Sequence, residues 1–411
     1  MKKTSIQLSG KNIFLFFLAG IFPYLGFSQS PTRWRGPQQN GTYAETGLLK
    51  VWPQTGPEIL WHYDALGEGY SAPSFANGRI FISGMEGTTG YVYSLSASGT
   101  FIWKAPYGEE WTVSYPGSRS TPVIVGDYLY ILSAHGDLAC LSAGTGKIRW
   151  KKNIIRDFDG RNIDWGYNET LVVHGDKLIC TPGGVRNNMI ALNRLDGSLI
   201  WSVTAKGEKS AYCNPLLTTV GSRNLLVTHM ENNIIGVDAD KGQFLWSYPH
   251  TNIYLIHPNT PLFNNNQVFC FSGYGQGGVM LQLNADGSAI TRKWVIKTLD
   301  SRIGGAVYLN GFIYGSGDQN VEWQCIDWDT GKLVYSSKAL GNGVVITAEG
   351  LLYIYSQRGE LALVKPEQNE FRIISKTRVT LGRGQHWAHP VINDSQLFIR
   401  HGNVLIDYKI K

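Results

Sequence analysis

The chain has 411 residues, of which 17% are charged, and a formal net charge of +6. Lys2, Lys3 and Lys11 supply half of that excess from one N-terminal stretch with no acid, and without them 34 basic residues face 31 acidic ones. That balance leaves no electrostatic case for nucleic acid as a partner, and 48 Gly, 13 Trp and 21 Tyr among short apolar runs favour an all-β protein.

The first element in chain order is IFLFFLAGIFPYL, residues 13–25, behind the three lysines. It is too short to span a bilayer and contains Pro23, so residues 1–28 are expected to be a cleaved signal peptide. No Cys stands at the junction to carry a lipid, and no transmembrane segment is expected in the mature chain. A periplasmic or secreted location follows. Residues 29–56 read as an N-terminal extension and 57–411 as a single domain built from repeats.

The repeat sets in early. GRIFISGMEGTTGYVYSLSASGTFIW (78–103) holds three strands and ends in Trp. Sharper copies follow at 126–150, 175–201, 223–246 and 311–335, with looser ones at 266–294 and 350–373. Their closing aromatics, Trp103, Trp150, Trp201, Trp246, Trp294, Tyr335 and Phe371, are 36 to 51 residues apart, the length of a four-stranded propeller blade. An eighth unit, 389–410, offers only three strands, and PEILWHY (57–63) supplies the fourth from the other end of the chain. The expected fold is an eight-bladed β-propeller whose N-terminal strand closes the ring and removes the open edges. Each closing Trp could bury roughly 150–250 Å², about 4–6 kcal/mol before entropic losses, so these aromatics read as glue between blades.

Five cysteines, at 140, 180, 213, 270 and 325, are far apart and form no CxxC or CxxCH. Zinc ribbons, thioredoxin-type motifs and covalent haem are thereby disfavoured. Four of them sit in apolar strand-like runs as small hydrophobes; Cys213, between Tyr212 and Asn214, is the exception. IIRDFDGR (154–161) is expected to be a solvated charged loop, and SGYGQGGV (272–279) a hairpin, since a phosphate cradle needs a following helix.

ACLSAGTGKIRW, ALNRLDGSLIW and VDADKGQFLW share one pattern: a small residue, a polar turn, Gly, then Trp. This pattern resembles the tryptophan-docking repeat of pyrroloquinoline-quinone (PQQ)-like propellers, and with TRWRGPQQNGTYAETGLLKVWP (32–53) and HWAHPVI the resemblance covers essentially the whole mature chain. It is similar both to quinoprotein alcohol dehydrogenases and to the cofactor-free propeller of the outer-membrane assembly machinery. The first relation implies PQQ with Ca²⁺ in a central funnel, covered by adjacent cysteines that this sequence lacks. The second implies a lipid-anchored scaffold, whose Cys is also lacking.

In a propeller, the loops from the outer strand of one blade to the inner strand of the next gather at one mouth. GYSAP, SRSTP, YCNP, PNTP and HWAHP superpose as such lead-in segments, and YNETL fits the same frame. The candidate catalytic residues there are Glu169, Arg119, His386, His389 and Tyr212. The candidate ligand-binding residues are Glu68, Tyr70, Trp165, Asn168, Asn214, His257, Asn259, Arg302 and Trp387. Arginines at a mouth suit an anionic ligand, tryptophans a sugar or quinone face, and a carboxylate or imidazole a proton transfer or a metal.

Three functions are open on these residues. The first is a module that binds a small molecule, polysaccharide or protein through the funnel. The second is a PQQ/Ca²⁺-dependent alcohol or sugar dehydrogenase, with Glu169 and Asn168 near Ca²⁺ and PQQ stacked on Trp165 or Trp387. The third is a carbohydrate-active enzyme such as a lyase, with Arg119 or Arg302 on a uronate and His or Tyr moving the proton.

Overall fold

The computed structural model describes residues 30–411 together with Met1; the expected signal peptide lies outside the described residues. The described residues form eight sheets arranged as an eight-bladed propeller, seven of four strands and one of five. The second strands of the sheets are largely sealed, as in Leu351–Ser356, where every residue is buried. Outer strands are half open, as in Ile290–Ile296. Among the described residues no helix is long and apolar enough to cross a membrane.

The repeat motif works as a lock between neighbours. The outer strand slips register by one residue just before its aromatic, for example between Ile148 and Trp150 and between Phe244 and Trp246. Such a bulge bends the strand and re-aims a side chain. Here it turns the indole onto the next blade. Trp150 Nε1 donates to Arg194 O (3.2 Å), Trp201 to Ala239 O (3.2 Å), Trp246 to Gly287 O (3.1 Å) and Trp294 to Trp328 O (3.1 Å). The ring also lies against the turn glycine of that blade. At Gly242, with φ +66°, an added Cβ would stand 2.6 Å from Trp201. Glycine is needed there twice over, for left-handed backbone and for clearance.

The eighth blade closes as the strand count required. Ile59–Tyr63 runs antiparallel to Val404–Lys409, with Trp61 opposite Asp407. Residues 154–157, expected as loop, instead form one helical turn: Asn153 Oδ1 accepts from the backbone N–H groups of Ile155 and Arg156, and Ile154 is buried beneath it. The N-cap and one apolar anchor outweigh the charged neighbours. All five cysteines are free and buried, Cys213 included.

The stretch before residue 57 does more than extend the domain. Thr32 N–H donates to Ile124 O on the inner strand of blade two, and Ile124 N–H returns a bond to Thr32 Oγ1. Gln39 Nε2 donates to Pro215 O, and Leu217 N–H to Gln39 Oε1, on blade four. Thr42–Tyr43 pairs in parallel with the far end of the inner strand of blade seven, Thr347 and Ala348. Between them a loop turns back on itself, with Gly41 N–H donating to Arg35 O. Residues 32–43 therefore thread the centre of the ring and plug it.

Candidate functional site

Above the tip of that plug lies a funnel of about 340 Å³, a volume suited to a small-molecule ligand. Its walls come from the lead-in segments, in which successive side chains point alternately to and away from the axis. Tyr70, Arg119, Asn168, Tyr212 and Trp387 face it from one level, and Thr170, Asn214 and His389 from two residues further on. Trp165 and Arg302 join from upstream.

The alternation removes the residues in between. Glu169 is buried, and its Oε2 accepts from Thr181 N–H (3.0 Å) and from the Thr181 hydroxyl. Burial raises its carboxyl to about 7, against the two Thr181 bonds that pull it down. Asn259 is buried and donates to Phe271 O (3.1 Å) and Ser301 O (2.7 Å). Both were expected at the mouth, and both belong to the walls. His386 is also displaced from it: it stacks on His401 with centroids 3.8 Å apart and meets Tyr355 Oη at 2.5 Å. Glu68 is bound by Arg383 at 2.7 Å, and His257 lies behind the wall, its place on the funnel taken by Ile256 and Pro258.

The funnel is aromatic and cationic. Trp387 packs on Tyr70 (5.3 Å) and Tyr115 (4.7 Å), while Tyr254 packs on Trp165 (6.4 Å) and Tyr274 (4.6 Å). These two clusters stand near blades eight to two and three to five. Tyr115, Tyr212 and Tyr274 all have left-handed backbone, with φ of 48°, 67° and 60°. Non-glycine residues pay roughly 1–3 kcal/mol for such conformations, which gather at functional sites.

Arg119 is half-buried and donates only to carbonyl oxygens, those of Gly117 (3.3 Å), Ser114 (3.2 Å) and Tyr115 (3.0 Å). It has no ion pair among the described residues. Arg302 is paired, with Asp318 at 2.9 Å. Tyr212 Oη donates to Trp165 O at 2.6 Å, and burial pushes its phenol up to about 12. His389 is buried with both nitrogens engaged, Nδ1 by Arg35 (2.9 Å) and Nε2 by Ile303 O (3.1 Å). Burial and the Arg35 charge hold it well below the usual imidazole range, so it is neutral.

The floor was not foreseen. Trp34 meets the His389 ring edge-on at 4.5 Å, and Gly304, with φ +82°, leaves room for both. The wall aromatics Tyr115, Tyr254 and Tyr274 were missed as well, because they sit on connections and turns outside the repeat frame.

The PQQ–Ca²⁺ pair does not fit these residues. Ca²⁺ takes six to eight oxygen ligands, usually with carboxylates among them, and among the described residues no Asp or Glu lines the funnel. Glu169, the carboxylate expected to serve, turns into blade three.

Comparisons with known proteins agree with the architecture. A family model described as outer membrane protein assembly factor BamB matches residues 88–337. BamB from Burkholderia pseudomallei is 26% identical over 147 residues, which is 36% of this chain and 33% of that protein. The match thus spans about a third of that curated relative's length. Among solved structures, BamB from Moraxella catarrhalis superposes with a TM-score of 0.59 at 14% identity, covering 83% of this chain and 94% of that one. A quinohemoprotein alcohol dehydrogenase from Comamonas testosteroni gives 0.61 at 11% identity, over 93% and 80%.

Proposed function

The chain belongs to the family of the outer membrane protein assembly factor BamB, and from that membership we propose that it is an exported binding propeller whose funnel receives an acidic saccharide unit. The observation that carries this reading is Arg119. Its guanidinium sits among aromatic rings, is held in place by three carbonyls and makes no ion pair among the described residues, the buried Glu110 carboxyl acting on it only at longer range. A carboxylate or sulfate on the ligand would supply the ion pair through a charge-assisted bond. Flat faces of Trp387, Trp165 and Tyr254 suit the apolar face of a sugar ring, and Asn168 and Asn214 suit its hydroxyls.

Binding without bond-breaking is favoured over the lyase reading by the state of the candidate bases. His389 has no free nitrogen, and the Tyr212 phenol is raised by burial and committed to a carbonyl. The dehydrogenase reading lacks, among the described residues, the carboxylate it would need at the funnel.

Titration calorimetry with galacturonate, glucuronate and sulfated oligosaccharides, set against neutral ones, tests this reading. Acidic ligands should bind and be recovered unchanged, and Arg119→Ala should weaken binding at least ~10-fold, the scale of a lost charged hydrogen bond. Equal binding of acidic and neutral sugars, or full affinity in Arg119→Ala, would discard it.

A further inference from the structure

Behind the funnel wall, three histidines converge that the proposed binding does not use. His229 ends the second strand of blade four, His250 follows that blade's last strand, and His257 leads towards blade five. All three are buried, and one ring nitrogen from each lies within 4.8 Å of those of the other two. His229 Nε2 and His250 Nδ1 are 3.1 Å apart, and the His229 and His257 rings stack at 4.7 Å with an interplanar angle of 24°.

Hydrogen bonding within the protein does not complete this group. His257 is oriented on both sides, by Ser272 Oγ at Nδ1 (2.7 Å) and Glu231 O at Nε2 (3.1 Å), and a ring N–H of His250 donates to the Gly277 carbonyl. His229 Nδ1 is buried and has no hydrogen-bond partner among the described residues. Backbone carbonyls that fix the ring orientation are a common companion of metal-bound imidazoles.

We propose that His229, His250 and His257 form a site for a divalent first-row transition ion, Zn²⁺ foremost, that clamps the segment 250–257. Three imidazoles with no carboxylate or thiolate among them suit Zn²⁺, Ni²⁺ or Cu²⁺ rather than Ca²⁺ or Mg²⁺. Cys213 is not a fourth ligand, because its thiol is directed to Asn259 O at 3.3 Å. Zn–N bonds of about 2.0–2.1 Å set tetrahedral nitrogens roughly 3.4 Å apart. The site therefore needs a side-chain adjustment on the order of an ångström. His257 Nδ1 would exchange its bond to Ser272 Oγ for the ion, Nε2–H staying on Glu231 O, and water completes the coordination.

The clamp would act on the funnel. His250 and His257 bracket a turn that exposes Ile253, Tyr254 and Leu255, and the same segment contributes Tyr254 and Ile256 to the wall. Joining its two ends to the strand at His229 would fix the tyrosine that packs on Trp165 and Tyr274.

The test uses the mature chain stripped with EDTA, with Zn²⁺ or Co²⁺ added both to the native protein and during refolding. One equivalent should bind, the Co²⁺ form should show tetrahedral d–d absorption, and hydrogen exchange should slow at residues 250–257. His229→Gln and His250→Gln should each lower affinity by at least ~100-fold, as for loss of one of three ligands. Failure of the unsubstituted protein to bind a stoichiometric ion by either route overturns the proposal, whatever the variants do. So does binding that slows exchange elsewhere, or that survives in both variants. Saccharide titration of the metal-free protein separates this result from the reading of Arg119.

Discussion

Arg35 Nη1 and His389 Nδ1 meet at 2.9 Å in the centre of the ring, and Arg35 has no acidic partner among the described residues. The guanidinium is sealed from solvent and also donates to Gly304 O (3.1 Å), Asn40 O (3.3 Å) and Ala306 O. Burial without a counter-ion lowers its affinity for its proton, to a pKa of about 10, which still leaves it charged. The contact fixes the histidine's tautomer: Nδ1 accepts from arginine, and Nε2–H donates to Ile303 O. A loop from the N-terminal stretch is thereby pinned to blades six and eight at once.

Arg35→Met should therefore destabilise the fold by about 2–4 kcal/mol, since it leaves several buried acceptors without a donor. Urea unfolding would register this as a lower midpoint at constant slope. Arg35→Lys should recover less than half of the loss, because an ammonium cannot reproduce the planar fork. An unchanged midpoint in Arg35→Met would mean that the plug contributes nothing to stability.

Glu169 gives a pH signature. Its folded pKa of about 7 is raised by burial above an unfolded value near 4.3. A carboxyl raised in this way contributes stability that is fully present below the unfolded value and lost as pH rises through about 7. Glu169→Gln keeps an acceptor for Thr181 and cannot ionise. Relative to the unsubstituted protein it should gain about 1–3 kcal/mol between pH 5 and pH 8. Thermal unfolding across that range measures the difference, and parallel curves would show that the carboxyl titrates normally.

Gly242→Ala tests the interblade lock. Its Cβ would enter the Trp201 ring from a left-handed backbone position, so a loss of about 2–4 kcal/mol is expected. Trp201 fluorescence should shift to the red as the indole leaves its buried seat. Alanine at Gly78, also left-handed but with open space around it, should cost only the backbone part, about 1 kcal/mol. Equal losses at the two sites would show that docking of the indole does not matter.

The ring of blades was legible because its information is local and repeated. A turn glycine, three residues, then an aromatic: the interval recurs in most of the blades, and the docking contact joins only neighbours. The same frame placed Tyr70, Arg119, Asn168, Tyr212 and Trp387 together at the mouth. It failed for Glu169 and Asn259, although the two-residue alternation of an extended segment was enough to send both into the walls. For His386, stacking on His401 and the bond to Tyr355 decided a position that spacing left open.

By itself the sequence determined the eight blades, their closure by Ile59–Tyr63, and the level at which the lead-in segments reach the axis. Only the tertiary structure decided what fills the centre. Arg35 is 269 residues from Gly304 and 354 from His389, and it lies in a stretch with no repeat to set its register. The three histidines behind the wall come from a strand end and two connections, outside the periodic frame. Contacts between periodic elements can be counted along the chain, whereas contacts made by single loops depend on the whole ring having closed around them.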